Sequence, residues 1–469
     1  MRDRAWNTQR GALRFAPLVA ALVLAGCSMV PTYERPQAPV PADWPVSSGA
    51  LPTGAAHTEL GWREVIADAR LKEVVALALA NNRDLRVAAL NVEQVRAQYQ
   101  IARAAPWPGV NAAVAGTRQS ATGDTISSTY TAGLAMSGWE IDFFGRLASL
   151  KEAALAQFMA SEEARKAAQT SLVAAVSSTW LSLQTSDELL ALTQRTLKTR
   201  EDSLRLTQLR FKSGVVSALD LRQAESLLAA AQSTGAQWQR QRALDLNALT
   251  LLVGQSLPAS ALPLASDAAV AFGDVPVGLP SEVLLRRADV SGAEQQLIAA
   301  NANIGAARAA FFPRISLTAS LGSASSELSG LFQSGSWGFS LAPQALLPIF
   351  DAGRNRAGLA VAQVQRDVAV AQYEKAVQTA FREVADALAG RATLADQWTA
   401  LQAQAQADSE RFRLSELRYR HGVASFLDVL DAQRSLFATQ QALSQTRLAQ
   451  QQNRVALYKA LGGGWQPQS

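Results

Sequence analysis

The sequence predicts a membrane α+β fold built from two structural repeats, and three observations predict it. One stretch of chain recurs at a fixed, long offset; alternating apolar segments precede each copy; and each copy closes a helical run of unusual length. Arg210-Phe-Lys-Ser-Gly-Val-Val-Ser-Ala-Leu-Asp220 returns as Arg418-Tyr-Arg-His-Gly-Val-Ala-Ser-Phe-Leu-Asp428, and the offset of 208 holds through to Gly254 and Gly462. So long an interval marks a duplicated half-protein rather than a solenoid period.

The N-terminus reads as an export signal. Arg2, Arg4, Arg10 and Arg14 precede an apolar run from Phe15 to Val23, too short to span about 30 Å of hydrocarbon, and Leu24-Ala25-Gly26 follows as a small-residue cleavage site. Cys27 comes next and is the sole cysteine, so no intramolecular disulfide forms. The arrangement resembles a bacterial lipoprotein signal with Cys27 as the lipidated residue, and Ser28 after it implies the outer membrane. One acyl chain anchors only marginally, so several chains or a second membrane-inserted element are needed. The formal charge of +5 includes four arginines and one aspartate of the leader, leaving about +2, which is no nucleic-acid footprint.

Proline outlines the organisation. Pro31, Pro36, Pro39, Pro41 and Pro45 predict an extended strap; a cluster from Pro258 to Pro280 separates two long proline-free stretches. The expected divisions are a signal peptide over 1–26, an extended segment over 27–60, a first repeat over 61–257, a linker over 258–280, a second repeat over 281–462 and a tail over 463–469.

Each repeat opens with a helix ending in Arg103-Ala-Ala-Pro-Trp-Pro108 or Arg308-Ala-Ala-Phe-Phe-Pro313. Strand periodicity follows. Ile315, Leu317, Ala319 and Leu321 alternate with small polar residues, as do Trp337, Phe339 and Leu341; the first repeat has Val110, Ala112 and Val114, then Tyr130, Ala132, Leu134 and Met136, with Gly123-Asp124 in the loop. Spacing alone fits two soluble hairpins equally well; length, aromatic residues near strand ends and the outer-membrane address favour a barrel wall. Four strands cannot close a barrel, whose minimum is about eight, so a barrel must be shared between subunits.

A very long helix comes after each strand pair. Arg146 to Ser213 contains no Gly or Pro, and Val176, Leu183, Leu190, Leu197, Leu204 and Phe211 recur every seventh residue, with Val370, Val377 and Val384 echoing them. At 1.5 Å per residue, about 65 residues reach roughly 100 Å. A dimeric coiled coil is one reading; polar Asp187 and Gln194 at the second seam position and alanine on several faces suit a helix packed side by side in a wide ring better. Gly214 and Gly422 then supply left-handed turns, and Ser217 and Ser425, three residues before Asp220 and Asp428, supply N-caps, so the repeated stretch is a tight helical hairpin used twice.

Further motifs now carry a resemblance: Cys27 with Pro31, Arg35-Pro36 and Pro39; Leu279-Pro-Ser-Glu-Val-Leu-Leu-Arg-Arg-Ala-Asp289; Ala300-Asn-Ala-Asn-Ile-Gly305; Pro348-Ile-Phe-Asp351 with Gly353-Arg354; and Leu430-Asp-Ala-Gln-Arg434. Over essentially its whole mature length the chain resembles the TolC-like outer-membrane factors, in the NodT-type lipoprotein subgroup that serves multidrug efflux systems. Ala288 departs from the pattern, where the family usually has Pro. The resemblance implies a homotrimer with one 12-stranded outer-membrane β-barrel continuous with a long periplasmic α-helical barrel. It implies partners as well: a periplasmic adaptor (membrane fusion) protein and an inner-membrane RND-type pump, with outer-membrane lipid around the barrel of a Gram-negative cell.

The two copies differ in one informative place. Asp431 and Arg434 correspond to Gln223 and Ser226, so at these matched positions only the second hairpin has an Asp and an Arg three residues apart. Sequence alone favours a solvated ion pair; the resemblance makes Tyr419, Asp431 and Arg434 a periplasmic gate joining neighbouring helices. Gly214, Ser217, Asp220, Gly422, Ser425 and Asp428 are expected to shape the hairpin tips and dock the adaptor.

The function so predicted is a passive exit duct for small toxic compounds. A duct for type I protein secretion or for metal ions shares the architecture, and a non-conducting periplasmic coiled-coil scaffold lipoprotein is the rival of a different class. No phosphate loop or catalytic cluster occurs, so neither enzymatic activity nor a cofactor is expected. His57 and His421 lack metal-site spacing, and Glu162-Glu163 reads as a solvated helix face.

Overall fold

The computed structural model describes residues 28–41, 43–45, 61–120, 126–263, 271–273 and 284–463. Cys27 and the Gly123-Asp124 loop lie outside them. In chain order the elements are α1 (Trp62–Val65), α2 (Ala69–Asn81), α3 (Arg83–Ala104), β1 (Asn111–Ser120), β2 (Ile126–Ile141), α4 (Arg146–Lys212), α5 (Ala218–Val253), a short 3-10 turn, α6 (Ala288–Ala309), β3 (Arg314–Ser325), a second 3-10 turn, β4 (Trp337–Leu346), α7 (Arg354–Arg420) and α8 (Phe426–Ala460). The order helix, two strands, 67-residue helix, returning helix therefore occurs twice, with returning helices of 36 and 35 residues. Ala288 is the first residue of α6, a position where proline is favoured but not required. No described helix is long and apolar enough to cross a membrane.

The chain forms two compact units, with residues of α3, α4, α6 and α7 in each. The first holds the sheet. Its strands run β1-β2-β3-β4, all antiparallel, so β1 and β4 are its edges. Both edge strands are exposed along their whole length. Apolar side chains remain uncovered, with Val114 82%, Trp337 71% and Phe339 83% exposed. A bulge between Met136 and Trp139, where Gly138 has φ +61°, extends β2 to 16 residues. One rung, Ala113, Gly133, Gly322 and Gly338, crosses all four strands. A Cβ on Gly133 would stand 2.4 Å from the Leu321 carbonyl oxygen, and one on Gly322 2.3 Å from that of Ala132, so this rung admits only glycine at its centre.

In the same unit the strap from Ser28 to Gln37 lies along α6. Arg308 donates to the Met29 carbonyl at 3.3 Å and Asn301 to that of Pro31 at 2.8 Å. Further along, Glu294, only 8% exposed, accepts from Tyr33 at 3.0 Å and from Arg35 at 2.7 Å. Gly305 makes room for the strap at Val30, which a Cβ would meet at 2.6 Å.

The second unit carries the main apolar core. Trp180, Leu183, Val176, Leu249, Val384 and Phe272 are buried there with Leu71, Val74 and Val75 of α2. The heptad positions of α4 divide sharply: Val176 and Leu183 are buried, Leu190, Leu197 and Leu204 are half-buried, and Phe211 is 41% exposed. Burial within one chain thus fades toward the turn. The Glu162-Glu163 expectation needs correction, since Glu163 is half-buried and holds Lys166 at 2.7 Å one turn on, instead of facing solvent.

Candidate functional site at the hairpin turns

Both hairpins turn by the same local chemistry. α4 ends where Gly214, at φ +75°, lets its N–H reach the Phe211 carbonyl and that of Val215 reach Arg210, each at 2.9 Å. Gly422, at φ +72°, does the same with Tyr419 and Arg418 at 3.0 and 2.9 Å. These paired bonds satisfy carbonyls that a helix end leaves open, and the left-handed residue suits glycine. Ser217 then caps α5 by accepting from the Asp220 N–H at 3.2 Å while the Asp220 carboxylate accepts from the Ser217 N–H at 3.0 Å. Ser425 and Asp428 repeat this box on α8 at 3.3 and 3.1 Å. Val215 and Val423 crown the turns, 71% and 67% exposed.

Beyond the caps the hairpins part company. Asp431, one turn into α8, accepts a hydrogen bond from Arg411 on α7 at 2.5 Å, and Arg434 on its own helix also pairs with it. The structure therefore brings Asp431 and Arg434 together and adds Arg411, which the sequence reading missed. Arg411 first, then Arg434, holds the Asp431 carboxyl below the usual aspartate range. All three side chains are substantially exposed, so the pairs are worth at most about 1 kcal/mol each. At the matching positions of the first hairpin stand Gln223, Ser226 and Ser203. Gln223 and Ser226 face Asp431 and Arg434 across a cleft of ≈ 320 Å³, which Arg222, Leu427 and Leu430 also line.

Tyr419 takes different partners. The Arg210 guanidinium of α4 donates to its hydroxyl and lies 5.1 Å from its ring centroid, while the Phe426 ring, tilted by 38°, packs with its centroid 5.1 Å away. The end of the first long helix is thereby joined to the end of the second.

Farther from the turns, α4 and α8 form a polar seam. Glu188 accepts from Arg447 and from Ser444, and Gln452 reaches Ser182 at 3.0 Å. Arg200 on the same seam is 4% exposed and rests 5.2 Å from the Phe437 ring centroid. No spacing rule finds these contacts, because their partners lie more than 200 residues apart in the chain. Among the described residues, no three His, Cys, Asp or Glu converge as a metal would require.

Known proteins share this fold. The sequence profile of the family described as Outer membrane efflux protein matches residues 74–255 and again 279–463. The toluene efflux pump outer membrane protein TtgC of Pseudomonas putida is 48% identical over 462 residues, covering 96% of this chain and 95% of that protein. A crystal structure of a membrane protein from Pseudomonas aeruginosa superposes with a TM-score of 0.88 at 46% identity, over 94% of this chain and 98% of the other. The open state of the Neisseria gonorrhoeae MtrE outer membrane channel gives 0.85 at 41% identity, over 93% and 98%. With two matches that together span most of its length, the chain belongs to the outer membrane efflux protein family.

Proposed function

We propose that this chain is the outer-membrane exit channel of a tripartite efflux pump in a Gram-negative bacterium, conducting small toxic compounds passively once a pump and adaptor deliver them. The observation that carries the reading is the open four-stranded sheet, whose first and last strands are exposed and whose apolar side chains are uncovered. An open edge does not survive in lipid. β1 of one copy pairing with β4 of the next, three times over, gives a closed barrel of 12 strands, and the half-buried heptad positions near the turns of α4 find neighbours in the same assembly.

In this reading Tyr419, Asp431 and Arg434 hold the periplasmic end narrow, and the caps at Gly214, Ser217, Asp220, Gly422, Ser425 and Asp428 shape the surface that meets the adaptor protein. An inner-membrane RND-type pump supplies the energy. Cys27 carries lipid and joins the barrel in the outer membrane.

The test is assembly together with conduction. Outer-membrane fractions should contain heat-modifiable trimers that form channels in planar bilayers, and deletion of the gene should raise susceptibility across a panel of toxic compounds. A soluble, non-conducting dimer would overturn the proposal in favour of a periplasmic scaffold.

A further inference from the structure

Arg200 holds a buried charge that meets no counter-ion among the described residues. Its Nη1 donates to the Leu227 carbonyl of α5 at 2.7 Å, the Phe437 ring of α8 lies 5.2 Å from Cζ, and Nε has no hydrogen-bond partner. Among the described residues no carboxylate pairs with it. The position 208 residues on is Asp408, whose carboxylate accepts from Thr439 of α8 at 2.7 Å. Phe437 and Thr439 are both buried and stand two residues apart on α8, on roughly opposite faces. Farther from the turn, the α4–α8 seam is closed by Glu188 on Arg447, a charge with its counter-charge. Toward the turn, the same seam is closed by a charge against a ring.

This difference sets a direction. Burying a guanidinium without a carboxylate is unfavourable, and an aromatic face with one carbonyl returns only part of its lost hydration. Well-packed apolar groups of similar volume often serve such a position better. We infer that Arg200 is a built-in bias toward parting of the α4–α8 seam: when the turn-side end of α8 swings away from α4, the guanidinium regains water, and the swing becomes easier. The inference rests on the channel reading for its purpose, since a duct that narrows at these turns must also open there. Arg200 acts through Phe437 as a positioning residue and opposes the closing action assigned to Asp431 and Arg434.

The test uses the full-length protein in detergent and in planar bilayers, with amide hydrogen exchange across residues 426–437 as the first readout and open fraction as the second. Arg200→Met should slow exchange in that segment roughly threefold to tenfold and lower the open fraction. Phe437→Leu, which leaves the charge without its ring, should speed exchange by a similar factor and raise the open fraction. Arg200→Lys keeps the charge and should exchange at least as fast as the native protein. A contact that only packs the seam predicts that all three variants loosen it, so faster or unchanged exchange in Arg200→Met overturns the inference, as does exchange in Arg200→Lys as slow as in Arg200→Met. If exchange moves as expected while the native protein conducts nothing, the seam bias stands and the channel reading fails.

Discussion

The two hairpins of this chain turn alike and are held differently. Gly214 and Gly422 close their helices through the same pair of backbone bonds, and Ser217 and Ser425 open the next helices with the same capping box. Only the second hairpin adds the Arg411–Asp431–Arg434 cluster. Only the first contributes Arg210, which reaches across to Tyr419. Duplication thus supplied a turn that works without specialised partners; divergence then gave the second copy a charge cluster of its own and a tyrosine, in place of Phe211, that the shared arginine of the first copy can reach. A symmetric pair would respond symmetrically to mutation; this one should not.

The largest effect is expected where the copies differ most. Asp431→Ala combined with Arg434→Ala should raise single-channel conductance several-fold, whereas the matching pair Gln223→Ala with Ser226→Ala should leave it near the native value; equal effects would erase the distinction between the hairpins. Where the copies agree, effects should match. Gly214→Val and Gly422→Val each force a branched residue into a left-handed conformation at φ +75° and +72°, lowering stability by about 1–2 kcal/mol, and thermal unfolding should report similar losses. Ser217→Ala and Ser425→Ala remove one cap apiece, for about 1 kcal/mol each, again read by thermal unfolding.

Acid should act on one copy alone. The Asp431 carboxyl sits below the ordinary aspartate range, so its ionised form contributes fully above that range and its contribution is lost as pH falls through about 4 and lower. Conductance should therefore rise on acidification, modestly because the cluster is exposed, and Asp431→Asn should flatten the response. A profile unchanged by Asp431→Asn would assign the titration elsewhere.

Much of this was legible in the sequence, for physical reasons. Glycine at a left-handed turn and a Ser-x-x-Asp cap are local solutions to open helix ends, so Gly214, Ser217, Gly422 and Ser425 announce themselves within a few residues. The strand pairs are local as well, which is why Ile315 to Leu321 and Trp337 to Leu341 read correctly as strands. The partners of the charges did not show. Arg411 meets Asp431 across a turn, and Arg210 meets Tyr419 from 209 residues away in the chain, so their pairing depends on how helices pack and not on spacing. Glu162 and Glu163 misled for the opposite reason: two adjacent acids look solvated until packing half-buries both and sets Glu163 beside Lys166. The heptad of α4 was periodic throughout, yet a single chain buries only its first members, because the sequence encodes a surface and leaves open what covers it.

The strap has a consequence for the order in which the molecule meets the membrane. Between Met29 and Arg35 it advances six residues while its contacts on α6 retreat fourteen, from Arg308 to Glu294; at about 3.3 Å per extended residue and 1.5 Å per helical one, the two distances agree near 20 Å. A taut tether has no slack to redistribute. Its first described residues therefore lie at the α6 terminus from which β3 starts five residues on, at Arg314. Under the proposed lipidation just before Ser28, the anchor and the strands would start from the same end of this unit and reach the membrane together.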